Sequence, residues 1–134
     1  MLHIDHCQLW IGVGGLLGAS GVALGAVGSH AIKHNRDPAL ADVWNIGVNY
    51  QMYHALALCS LPLVANTTTR NMVGSVFLTG TVLFSGGLYL VAATEDHSWA
   101  RLSPIGGMLL IAGWSGLAVS ALMSVKRSHF KKVK

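Results

Sequence analysis

Tyr50, Gln51 and His54 stand together in an otherwise apolar stretch. On a helix, positions 50 and 54 are one turn apart and 51 and 54 nearly so, which turns all three to one side. Imidazole can relay a proton, ligate a metal or hydrogen-bond a neighbour near neutral pH. His30 closes the preceding apolar stretch and meets this set if the first two helices are neighbours. Polar groups inside apolar helices are the first functional candidates in a membrane protein. The competing reading is structural: Gln51 and His54 bond across helices, each bond contributing about 1 kcal/mol. The apolar cores contain no Asp or Glu, which argues against an ion-coupled pump with a carboxylate relay.

His3, His6 and Cys7 form a second cluster, but a closed zinc site needs four ligands, so no metal site is expected there. Glu95-Asp96-His97 reads as ordinary capping in a link, and His34 and His97 as solvated. The chain has no nucleophilic serine motif, paired-cysteine motif or His-Glu-x-x-His string. No enzyme activity and no cofactor are expected. Cys7 and Cys59 are read as small buried hydrophobes and not as a disulfide.

The elements that must hold these groups follow from composition. Of 134 residues, 52% are hydrophobic and only 10% charged, against about 25% in an average soluble domain. Mean hydropathy is +0.52. Disorder is excluded, because it needs high charge and low hydrophobicity. The expected fold is all-α: an integral membrane four-helix bundle in one domain. Spans fall at about 7–29, 46–65, 71–94 and 104–125, each near the ~20 residues that cross the hydrocarbon layer. Asp5 suits the cap of the first span, and its flanks lack the cations of a signal peptide. Asp37-Pro38 and Ser103-Pro104 read as helix starts, each a capping residue followed by proline. Residues 38–49 read as a short amphipathic segment at the interface, anchored by Trp44. Short links make sequential helices antiparallel neighbours.

With four spans, both termini and the 66–70 link share one side. That side has Arg70, Lys126, Arg127, Lys131, Lys132 and Lys134 against Asp5. The other has Lys33, Arg36 and Arg101 against Asp37, Asp42, Glu95 and Asp96. Both ends are therefore expected in the cytoplasm, or in the matrix of a mitochondrion. Asn66-Thr67-Thr68, a glycosylation pattern, then faces the wrong compartment for modification. The basic tail 126–134 suits anionic lipid headgroups or a protein partner. Nucleic acid is not expected, since no soluble domain is present to read bases.

Gly14, Gly18, Gly21, Gly25 and Gly28 line one face of the first helix, and Gly113 and Gly116 start a weaker stripe on the fourth. Bare backbone lets helices approach closely in lipid. Gly12-Val-Gly14-Gly15-Leu-Leu-Gly18 looks like a phosphate-cradling loop on paper, but it lies within an apolar span with no strand before it.

Four strings occur in order: Gly25-Ala-Val-Gly28-Ser-His30-Ala-Ile-Lys33, Tyr50-Gln51-Met-Tyr-His54-Ala-Leu-Ala-Leu58, Leu83-Phe-Ser-Gly-Gly-Leu-Tyr89, and Ser103-Pro-Ile-Gly-Gly107 with Gly113-Trp114. Through them the chain resembles the small membrane proteins grouped as domain of unknown function 423, which include transmembrane protein 256. Ser29 and Ile32 stand where that family more often has alanine and leucine, and the basic tail is longer here. The resemblance implies four membrane helices in bacterial inner membranes or, for eukaryotic members, mitochondria, and supplies no reaction or ligand. The expected location is the mitochondrial inner membrane, with the bacterial inner membrane as the alternative. The expected function is a structural or accessory subunit of a larger membrane complex, a respiratory one among the options. The alternative is a small oligomeric transporter, channel or lipid- or quinone-binding protein using His30, Gln51 and His54.

Overall fold

The computed structural model describes residues 6–132, with side chains described for 8–125. Nearly all of these residues are helical. Helix α1 (His6–Val27) continues through a wider π turn (Gly28–Ile32) into a last short turn (Lys33–Asn35). Helix α2 (Pro38–Ser60) closes in a 3-10 turn (Leu61–Leu63), helix α3 spans Thr67–Thr94, and a second 3-10 turn (His97–Arg101) leads into helix α4 (Leu102–Lys132).

Local chemistry sets these boundaries. The Asp37 carboxylate accepts from the Ala39 N–H at 2.8 Å, and Pro38 sits first in α2. Pro62 ends α2 by denying the ladder a donor. Asn66, the glycosylation-pattern asparagine, caps α3 by accepting from the Thr69 N–H at 2.9 Å, so α3 starts four residues before the expected position. Helix α3 ends on Glu95, whose left-handed φ of 61° returns its N–H to the Val91 carbonyl.

Two expectations change. Residues 38–49 are not a separate interfacial piece: they form one unbroken helix with residues 50–60. Trp44 is buried, only 5% exposed, and its indole N–H donates to the Leu24 carbonyl at 2.8 Å, so it joins α1 to α2 and is not an interfacial anchor. Ser103 does not cap the fourth helix. Asp96 takes the cap of the preceding 3-10 turn through the Ser98 N–H, and the helix is already under way at Leu102.

The stretches Gln8–Asn35, Thr67–Thr94 and His97–Val125 are long and apolar enough to cross a membrane. Helix α2 falls short because Asp42, Asn45, Asn49, Gln51 and His54 dilute its apolar character. Helix α1 packs on α2, α2 on α3 and α3 on α4. Helix α3 is the most enclosed of the three apolar stretches. Trp10, Leu58, Leu61, Phe77 and Leu110 form the main core, and Ile32, Trp44 and Ala92 a smaller one toward the other end.

Both ends are clasped. At one, Arg36 pairs with Glu95 and donates to the Ala93 carbonyl at 2.8 Å. At the other, the Trp10 indole donates to Asn71 at 3.0 Å, and Arg70 Nε and Nη2 both donate to the Val64 carbonyl at 3.0 and 2.7 Å.

Candidate functional site

Helix α2 carries His54 and Gln51 into the interior on adjacent turns, both buried. His54 Nδ1 lies 2.7 Å from the Tyr50 carbonyl one turn back, and a carbonyl oxygen only accepts, so Nδ1 holds the proton. The other nitrogen, Nε2, accepts from the Trp114 indole of α4 at 3.1 Å. The imidazole is thus a neutral group with both positions occupied, set among the rings of Phe77 and Trp114 at 5.6 and 6.0 Å. A proton relay or metal ligand needs a free lone pair, and here the Trp114 N–H occupies it.

Gln51 joins three helices. Its Nε2 donates to the Leu17 carbonyl and the Ser20 hydroxyl of α1, both at 2.9 Å. Its Oε1 accepts from the Tyr89 hydroxyl of α3 at 2.9 Å. Tyr89 can reach because Gly47 lacks a side chain: a Cβ there would sit 2.8 Å from the ring. Tyr89 also packs on Trp44 at 4.7 Å. Tyr50 keeps its ring on Phe84 at 4.5 Å and leaves its outer edge exposed.

His30 does not join this set. It lies exposed on the π turn, whose Gly28 abuts Trp44, well along α2 from Gln51. Among the described residues no group of three His, Cys, Asp or Glu comes together to hold a metal ion. His3 lies outside the described residues, and the side chains of His6 and Cys7 outside those described. Cys59 is exposed and not buried as expected; it sits at the edge of the α1–α2 seam beside Gly14. Outside the spans, the Ser98 N–H holds the Asp96 carboxyl below its ordinary range.

The glycine stripe of α1 faces α2. A Cβ on Gly14 would meet Cys59 Sγ at 2.6 Å and one on Gly28 the Trp44 ring at 2.5 Å; Gly18, Gly21 and Gly25 lie between, over Ala55, Met52 and Val48. On α4, Gly113 takes the Phe77 ring and Gly116 lies over Val73. The tightest approach to a neighbouring backbone was not anticipated: a Cβ on Gly106 would stand 2.4 Å from the Phe84 backbone nitrogen and 2.8 Å from the Gly80 carbonyl. Trp114, Tyr89 and Ser20, the partners of His54 and Gln51, were also missed. Their signal was an aromatic or hydroxyl tip in an apolar helix, which needs a bonding partner once buried. The tail side chains Lys126, Arg127, Lys131 and Lys132 lie outside those described, and Lys134 outside the described residues.

Such an arrangement defines a class: a small all-helical, multi-pass membrane protein whose buried Gln51 and His54 bond side chains of neighbouring helices. The family model described as "Protein of unknown function (DUF423)" matches residues 24–107, and the chain belongs to that family. A UPF0382 membrane protein of Staphylococcus haemolyticus is 38% identical over 120 residues, covering 88% of this chain and 98% of the relative. One from Schizosaccharomyces pombe is 36% identical over 113 residues, covering 80% and 96%. A UPF0382 inner membrane protein of Escherichia coli is 36% identical over 104 residues, covering 75% and 79%. No solved structure matches the chain. The family match includes His30, Tyr50, Gln51, His54 and Tyr89 and stops short of Trp114.

Proposed function

We propose that the chain is an antiparallel four-helix bundle crossing an inner membrane four times, and that it serves as a structural or accessory subunit of a larger membrane assembly. Contact order supports the antiparallel arrangement. Along α1, Gly14, Gly21 and Gly28 meet Cys59, Met52 and Trp44, so numbers fall on α2 as they rise on α1. Along α4, Gly106, Gly113 and Gly116 meet Phe84, Phe77 and Val73 in the same falling order. Helix α2 is tolerable as a span because Gln51 and His54 are bonded inside and most of its other polar side chains lie in its first half.

The observation that carries the accessory role is the contrast between interior and exterior. The buried His54 and Gln51 are occupied by internal bonds, within α2 and to neighbouring helices. The outer faces of α1 and α4 are broad and apolar, with Leu16, Val22, Met108, Ile111 and Leu122 all largely exposed. Surface of that kind suits lipid and neighbouring helices. The proposal assigns no reaction and no cofactor. A transporter or quinone-binding role is the weaker reading, because His30 stands apart and the lone pair of His54 is occupied.

The charge asymmetry favours a reading with both ends on the cytoplasmic face of an inner membrane. The mitochondrial setting rests on the resemblance, and neither it nor a respiratory partner draws support from relatives that are mainly bacterial. Extraction in mild detergent followed by native gel sizing tests the accessory role. A discrete species heavier than one chain with its micelle is expected; a species no heavier than that contradicts it.

A further inference from the structure

A groove of about 720 Å³ opens where the 3-10 turn after α2, the start of α3 and the far part of α4 come together. Leu63, Val64, Met72 and Leu117 give it apolar walls. Asn66, Thr69, Ser120 and Ser124 add amide and hydroxyl groups. Val73 faces Gly116, so the turn of α3 before Val73 lies level with Ser120 and Ser124, and these polar groups share one end of the groove. Apolar walls with hydrogen-bonding groups at one end match an acyl chain joined to a polar headgroup.

Charge selects which headgroup. Helix α4 runs on past Ser124 through Lys126 and Arg127 to Lys132. Arg70, one residue beyond Thr69, is buried at 6% exposure, and its cation pairs with no carboxylate among the described residues. The described acidic residues Asp37, Asp42, Glu95 and Asp96 belong to the other links and the start of α2. Counting Asp5, the sequence charge on this side is still strongly positive, and among the described residues no carboxylate lies at this end; basic pockets between membrane helices attract anionic lipid. We propose that the groove holds one anionic phospholipid, its phosphate by Asn66, Thr69 and Ser124 and its acyl chain along Leu63, Met72 and Leu117. The inference rests on the membrane reading but not on the accessory role.

Native mass spectrometry of the purified full chain in detergent, titrated with phosphatidylglycerol or with phosphatidylcholine of the same acyl chains, tests it. One retained phosphatidylglycerol is expected, preferred about tenfold or more. The double variant Lys126→Gln/Arg127→Gln should lose that preference. Ala121→Trp, at an exposed lining position, should abolish retention while circular dichroism stays helical; Ser124→Trp replaces it if the helical signal falls. Equal retention of both lipids overturns the proposal, as does undiminished retention by a folded blocking variant. A dimer that Ala121→Trp disrupts also overturns it, since a second copy would then fill the groove. A chain soluble without detergent would defeat the membrane reading, and a lone chain on a native gel would defeat only the accessory role.

Discussion

At the scale of single residues, His54 shows how an apparent catalytic group becomes a structural one. A histidine in an apolar helix was legible in the sequence, and so was the alternative that it bonds across helices. Its partner was not legible, because Trp114 lies 60 positions away and only the packing of α4 on α3 brings it near. The same holds for Gln51 and Tyr89, 38 positions apart. Trp114→Phe should keep the ring packing and remove the donor to Nε2. The expected cost is about 1 kcal/mol in a reversible unfolding titration. Nitrogen NMR of labelled His54 should show a neutral imidazole protonated on Nδ1 at neutral pH. A signal protonated on Nε2 instead would refute the hydrogen-bond assignment.

Among the elements, two glycines of the same chain should respond oppositely. Gly106→Ala drives a methyl into the Phe84 and Gly80 backbone, where no rotamer change gives relief. It should push α3 and α4 apart and cost about 1–3 kcal/mol of stability. Gly12→Ala meets nothing within 4 Å, and thermal unfolding should find it neutral or slightly stabilised, since alanine is the better helix former. The periodicity of the α1 stripe was readable because every fourth or third residue is glycine. The Gly106 contact was not, because the Gly106-Gly107 pair is separated from Gly113 by about two turns without an intervening small-residue repeat, and the pair alone does not say which glycine faces α3.

Caps behave similarly. Asp37-Pro38 was readable as a local pair, whereas Ser103-Pro104 misled because Asp96 had already started a 3-10 turn. The Asp96 carboxyl is lowered mainly by its bond from the Ser98 N–H. A lowered carboxyl stabilises the fold fully above its unfolded pKa of about 4 and loses that contribution as pH falls through its folded value. Thermal unfolding of Asp96→Asn should therefore lose part of the acid sensitivity that the unaltered chain shows below about pH 4. An identical acid response in both would contradict the capping role.

For the whole molecule, the charge-free stretches disclosed the lipid-facing character early, because ionisable groups are too costly to scatter through hydrocarbon. The second helix was the least legible element. Its polar side chains, taken alone, suggested an interfacial piece and then a short span. Folded, it is one helix whose polar interior is bonded to α1, α3 and α4, an arrangement that no window of local sequence displays. Whether α2 crosses the bilayer decides the topology. Counting crossings with topology reporters fused in turn to the first and last residues of the chain measures this directly. Four crossings put both reporters on the cytoplasmic face. Reporters on opposite faces would mean that α2 stays out of the hydrocarbon layer and that three helices span, contradicting the arrangement proposed here.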